Sequence, residues 1–195
     1  MSGRFTIVPT RLAGLHRLER HPHHDSRGSL ERLFCEQDLQ AVFGGDRRVV
    51  QINRTLTRLS GTVRGLHFQR PPHAETKVVT CLRGEVFDVA VDLRPSSPTF
   101  LEWHGEVLNE TNGRSLLIPE GFAHGFQTIA ADCELLYFHS AAWCAAAEGG
   151  LNPLDPRIAV TWPQPVSEMS DRDRRHPLLD AGCHDALFSK VAAWA

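Results

Sequence analysis

The sequence predicts an all-β protein, an antiparallel sandwich or barrel. Three observations predict it: strict two-residue alternation in one segment, several short β-branched runs at close spacing, and Gly/Pro turns between them. In Val86-Phe87-Asp88-Val89-Ala90-Val91-Asp92-Leu93, the residues Phe87, Val89, Val91 and Leu93 share one face, and both aspartates share the other. The run before it, residues 78–82, is apolar and β-branched, and Arg83-Gly84-Glu85 supplies a turn, so the two runs read as a hairpin. Further strands are expected at 48–56, 63–69, 115–118, 122–129 and 133–140, punctuated by Pro119-Glu120-Gly121 and Ala130-Ala131-Asp132. Helix is scarce. Only Leu187, Phe188, Val191 and Trp194 fall at helical spacing, which predicts a short C-terminal helix packed on the outside. No repeat, low-complexity tract or linker divides residues 1–195, so they read as one domain.

Composition narrows the function. At 42% hydrophobic and 23% charged, the chain has the proportions of a folded globular protein. Its 21 Lys+Arg against 23 Asp+Glu leave no basic footprint for nucleic acid or an anionic membrane, while a local arginine cluster for a small anion stays open. Charges interrupt the apolar residues of the first twenty positions, unlike a secretory signal, and no apolar run approaches the ~18 residues of a membrane span. Cysteines at 35, 81, 133, 144 and 183 are odd in number and form no C-x-x-C pair, so the expected compartment is a reducing cytoplasm.

Several polar residues fall on strands. Cys133, Leu135, Tyr137 and His139 share one face of their strand, and Tyr137 is the sole tyrosine. His67 sits inside Arg64-Gly65-Leu66-His67-Phe68-Gln69. Taken alone, each reads as a hydrogen-bonded core residue. A metal reading comes from Gly113-x5-Pro119-x-Gly121-x2-His124, a pattern of cupin barrels whose histidine often ligates a metal. The matching segment runs from Gly61 to His67 and continues with Gln69 instead of a second histidine. His67, His124 and a distant Glu75 are too few ligands, so no metal is expected. The His21-Pro22-His23-His24-Asp25 cluster reads as a solvated loop.

RGLHFQ, the lysine of TKVVTCLRGEVFDVAVDLRPSSPTF, LLIPEGFAHGFQ, LLY, DPRIAVTWP and SDRD occur in this order. In this the chain resembles the dTDP-4-dehydrorhamnose 3,5-epimerase family from about residue 25 to about residue 173. The resemblance implies a cupin-type jelly roll, usually a homodimer, acting without a cofactor on a nucleotide-diphospho-sugar that carries a 4-keto-6-deoxyhexose. A C4 ketone acidifies the C3 and C5 hydrogens, because the carbanion is delocalised as an enolate, and inversion then needs a base on one face of the ring and an acid on the other. By the resemblance His67 is the base, oriented by Asp173, and Tyr137 the acid, with Lys77 beside the developing O4 oxyanion. Arg27 and Arg64 match diphosphate contacts, and Gln51, Asn53, His124 and Glu148 match further substrate contacts.

Three positions depart from the family pattern. Leu30 stands where many members have phenylalanine, and Arg32 where many have glutamate, both near the nucleotide end. Trp143 stands where a second tyrosine is common, which raises inversion of a single centre, C3 or C5, as an alternative. A sugar-nucleotide ketoisomerase, a metal-dependent cupin oxygenase and a non-catalytic binding module are the other readings.

Overall fold

The computed structural model describes residues 3–179. Their strands are β1 (Phe5–Pro9), β2 (His16–Arg20), β3 (His23–Asp25), β4 (Gly28–Leu30), β5 (Gln51–Thr57), β6 (Thr62–Gln69), β7 (Lys77–Arg83), β8 (Glu85–Asp92), β9 (Trp103–Asn109), β10 (Arg114–Ile118), β11 (Phe122–Thr128), β12 (Cys133–His139), β13 (Glu148–Gly150) and β14 (Glu168–Met169). Two short helices, α1 (Glu36–Phe43) and α2 (Asp171–Arg174), complete the described elements. One sheet has the order β1-β2-β10-β7-β12-β5 and a second the order β13-β6-β11-β8-β9, with β14 added in parallel beside β6. β3 and β4 form a separate exposed hairpin.

The sheets pack face to face over a core drawn from both. Val79, Cys81, Leu116, Ile118, Cys133, Leu135 and Tyr137 come from one sheet; Val86, Ala90, Leu108, Phe122 and Phe126 come from the other. Outer faces are covered as well. On one, α1 lays Leu39 and Phe43 against Leu18, Val78, Leu117 and Phe138, each burial contributing roughly 1.5–3 kcal/mol. On the other, Leu151, Ile158 and Trp162 cover Leu66, Phe68, Val89 and Val91.

This two-sided burial corrects one expectation. β7 and β8 are not a hairpin: they belong to opposite sheets, and Gly84, at φ +77°, turns the chain from one to the other. Alternation and a glycine turn are equally compatible with a paired hairpin and with a corner. A Cβ at 84 would lie 2.8 Å from Cys133 Sγ, so the corner has no space for a side chain. The alternating faces of β8 are also unusual, since its apolar face looks outward and its aspartate face inward. Asp88 is fully buried and accepts from His124 Nε2–H at 2.8 Å; Asp92 is held by Arg94, Ser97 and Thr99.

The strands expected at 48–56, 63–69, 115–118, 122–129 and 133–140 appear as β5, β6, β10, β11 and β12 within a few residues. The expected helix at 187–194 lies outside the described residues. Helix α1 was not foreseen: Cys35 at its N-cap makes no side-chain cap bond, so the usual start signal is missing. The expected His21–Asp25 loop includes strand β3, solvent-exposed throughout.

Candidate active site

A cavity of about 700 Å³ opens between the sheets, within the range usual for small-molecule sites. Period-two geometry aims the polar residues of two strands: β12 points Tyr137 and His139 inward, and β5 contributes Asn53, Thr55 and Thr57. β6 contributes Arg64 and His67, three residues apart, which reach the same cavity across the register shift in its pairing with β11. Lys77 begins β7, His124 lies on β11, and Asp173 comes from α2. His67 and Tyr137 therefore belong to facing sheets and line the same space.

On the His67 wall, the imidazole Nε2–H donates to Asp173 Oδ1 at 2.8 Å. A carboxylate can only accept, so the lone pair is left on Nδ1. Asp173 is itself fixed: Gly65 N–H donates to its Oδ2 at 3.3 Å, and its own amide donates to Ser170 Oγ at the start of α2. Burial, the largest single influence, would raise the Asp173 carboxyl, but the hydrogen bond and charge of His67 together with the Gly65 and Ser170 hydrogen bonds outweigh it and hold the acid below its ordinary value. The backbone beneath is tightly apposed. A Cβ at Gly65, where φ is +115°, would lie 2.6 Å from Gly125 Cα, and one at Gly125 would lie 2.6 Å from Arg64 O.

On the facing wall, burial pushes the Tyr137 phenol well above its usual value, so it keeps its proton across the whole physiological range. The His139 ring stacks on Tyr137 at 6.0 Å between centroids. His139 Nδ1–H donates to Glu75 Oε2 at 2.8 Å, and Lys77 Nζ lies 2.6 Å from Glu75 Oε1. Burial would raise the Glu75 carboxyl; Lys77 and His139 overcome this and hold it at about 2. Sequence reasoning weighed Glu75 only as a distant metal ligand. Its signal was the two-residue spacing to Lys77, which puts both side chains on one face of an extended segment.

Other expected residues sit at the rim. Trp143, 58% exposed, donates its indole N–H to Glu148 Oε2 at 3.1 Å, and its backbone N–H to Gln51 Oε1 at 2.9 Å. Gln51 in turn donates to Asn53. Arg172, not singled out from the sequence, bridges to the other Glu148 oxygen at 2.6 Å. Arg27 is not brought into the cavity; it pairs with Asp25 on the exposed β3–β4 hairpin. Leu30 is exposed on that hairpin, and Arg32 pairs with Asp38. The cupin metal positions are otherwise engaged: Gln69 binds the backbone of His73, Ala142 and Cys144, and His124 binds Asp88.

A jelly-roll cavity with a histidine–carboxylate pair facing a phenol places the chain in the class of cupin-like sugar-nucleotide epimerases, and comparison with known proteins supports this class. Residues 9–181 match the family described as dTDP-4-dehydrorhamnose 3,5-epimerase, and the chain belongs to that family. A dTDP-4-dehydrorhamnose 3,5-epimerase from Sinorhizobium fredii is 42% identical over 156 residues, 80% of each chain. A dTDP-4-dehydrorhamnose 3-epimerase from Streptomyces niveus is 36% identical, covering 92% of this chain and 86% of the relative. The solved structure of a dTDP-6-deoxy-D-glucose-3,5-epimerase from Legionella pneumophila, in complex with dTDP-4-keto-L-rhamnose, superposes with a TM-score of 0.84. It is 35% identical and the match covers 91% of this chain and 96% of that one.

Proposed function

We propose that the chain inverts C3, C5 or both of a dTDP-linked 4-keto-6-deoxyhexose by proton transfer through an enolate. The observation that carries this reading is the placement of His67 and Tyr137 on facing sheets of one cavity. His67 Nδ1 takes the ring proton, Asp173 stabilises the imidazolium that forms, and Tyr137 returns a proton to carbon from the opposite face. Lys77 faces the growing O4 oxyanion, a charge present in the transition state and weak in the ketone. Arg64 supplies a cationic fork for the diphosphate, while Gln51, Asn53, His124, Trp143 and Glu148 shape the remaining contacts.

Arg27 enters this scheme through a homodimer. Val50, Ile52 and Leu56 are exposed on and beside β5, an outer strand of its sheet, and such an edge is suited to a second copy. In the dimer the β3–β4 hairpin would bring Arg27 to the neighbour's nucleotide. The described residues hold no helix long and apolar enough to cross a membrane, and a cytoplasmic site of action fits the reducing compartment that the cysteines suggest.

Heavy-water incubation with dTDP-, GDP- and CDP-linked 4-keto-6-deoxyhexoses tests the reading. The expected result is deuterium at C3, C5 or both of the dTDP sugar with inversion; a shifted carbonyl, or no exchange with any donor, would remove it. Label confined to one carbon would favour the single-centre alternative that Trp143 raises.

A further inference from the structure

Beside the His67–Asp173 pair lies a third donor that the proposed chemistry does not use. His176 follows Asp173 by three residues, and its Nε2 stands 4.0 Å from Asp173 Oδ1, too far for a hydrogen bond. Among the described residues that nitrogen is buried and has no hydrogen-bond partner. The His67 and His176 rings meet edge to face with centroids 5.9 Å apart, and one ligand atom from each of His67, Asp173 and His176 falls within 4.8 Å of the others. Space for the ring depends on Gly150, where a Cβ would lie 2.2 Å from His176 Nε2. A buried imidazole nitrogen without a partner is costly, and a cation shared with Asp173 would supply the partner.

We propose that His67, Asp173 and His176 form an inhibitory site for a divalent transition-metal ion of the zinc or cobalt type. Two imidazoles and one carboxylate match the ligand preference of these ions and not that of magnesium or calcium, which take oxygen ligands. With metal–ligand bonds of about 2.0–2.2 Å, tetrahedral ligand atoms lie roughly 3.3–3.5 Å apart. The 2.8 Å and 4.0 Å spacings around Asp173 Oδ1 bracket that value, so small side-chain rotations close the site. The proton balance is simple. Nε2 of His67 gives its lone pair to the metal, and the single proton of the neutral ring moves to Nδ1. A ring protonated at Nδ1 and metallated at Nε2 has no lone pair left for a sugar proton, and turnover stops. The metal site stands on geometry alone; its inhibitory effect rests on the proposed role of His67.

The test uses the full chain, freed of metal with a chelator and titrated with Co²⁺ by visible absorption, with Zn²⁺ by calorimetry, and with Mg²⁺ in parallel. One Co²⁺ or Zn²⁺ should bind per chain, Mg²⁺ should not, and Zn²⁺ should suppress sugar deuteration. In His176→Ala, metal-free turnover should be unchanged. Its metal affinity should fall by more than the roughly 10–100-fold typical of losing an outer partner, since a ligand itself is removed. His176→Gln keeps volume if alanine disturbs folding. No Co²⁺ binding, or equal binding by the His176 variants, overturns the site. His176-dependent binding that leaves deuteration untouched overturns the inhibition. His176-dependent binding by a chain inactive on every keto sugar upholds the site and sinks the epimerase reading instead.

Discussion

The two walls of the cavity carry similar chemistry in opposite settings. Each has a histidine bound to a carboxylate at 2.8 Å, His67 with Asp173 and His139 with Glu75. The His67 side chain is 35% exposed, whereas His139, Glu75 and Lys77 are each 10% exposed or less. The difference separates two tasks. A base that must hand its proton on to solvent between turnovers needs the open wall. A sealed ion pair holds Lys77 in one place, and its mutual attraction offsets the cost of taking charges out of water only while the network stays whole.

Removing His67 should break this comparison most sharply. His67→Ala is expected to slow deuterium incorporation by about 10²–10⁴-fold while the chain stays folded; wild-type exchange in that variant would move the base elsewhere. Tyr137→Phe should separate the walls instead of silencing both. Exchange with retention continues because the His67 imidazolium, open to solvent, can swap its proton for a deuteron and return that to the same face, while formation of inverted product falls by about 10²-fold or more, read by product NMR. Equal losses of exchange and inversion would contradict facing roles.

The sealed wall should show itself in stability. Lys77→Met leaves a buried carboxylate short of its cation and is expected to cost about 3–5 kcal/mol in denaturant unfolding. Acid should weaken the same network. Glu75 titrates at about 2 in the fold and near 4.5 when exposed, so its contribution, on the order of 3 kcal/mol, is complete above about pH 4.5. It drains away as the pH falls through about 2. Glu75→Gln should flatten that part of the stability profile, and an unchanged profile would mean the pair is not formed in solution. The smallest effect is expected at the rim, where Trp143→Tyr should alter the ratio of C3 to C5 label with little change in total rate.

Much of this arrangement was legible in the sequence because strands write their faces in a two-residue code. That code put Tyr137 and His139 on one side, and the resemblance supplied the role proposed for His67. It could not say which sheet a strand joins, so β7 and β8 read as partners although they face each other across the core. Nor could it rank burial when both faces are covered: alternation puts the aspartates of β8 on one face without saying where that face looks, and Asp88 is fully buried beneath His124. His176 and Arg172 reach the site through the fold around α2, a tertiary accident with no local periodicity to announce it.

The glycine contact beneath His67 has a consequence for how this protein can change. Neither Gly65 nor Gly125 can acquire a side chain while the other strand stays where it is, so each position constrains the other. Anyone diversifying the cavity for new sugars has freedom at its mouth and almost none at this crossing, which acts as the fixed pivot for every variant built around it.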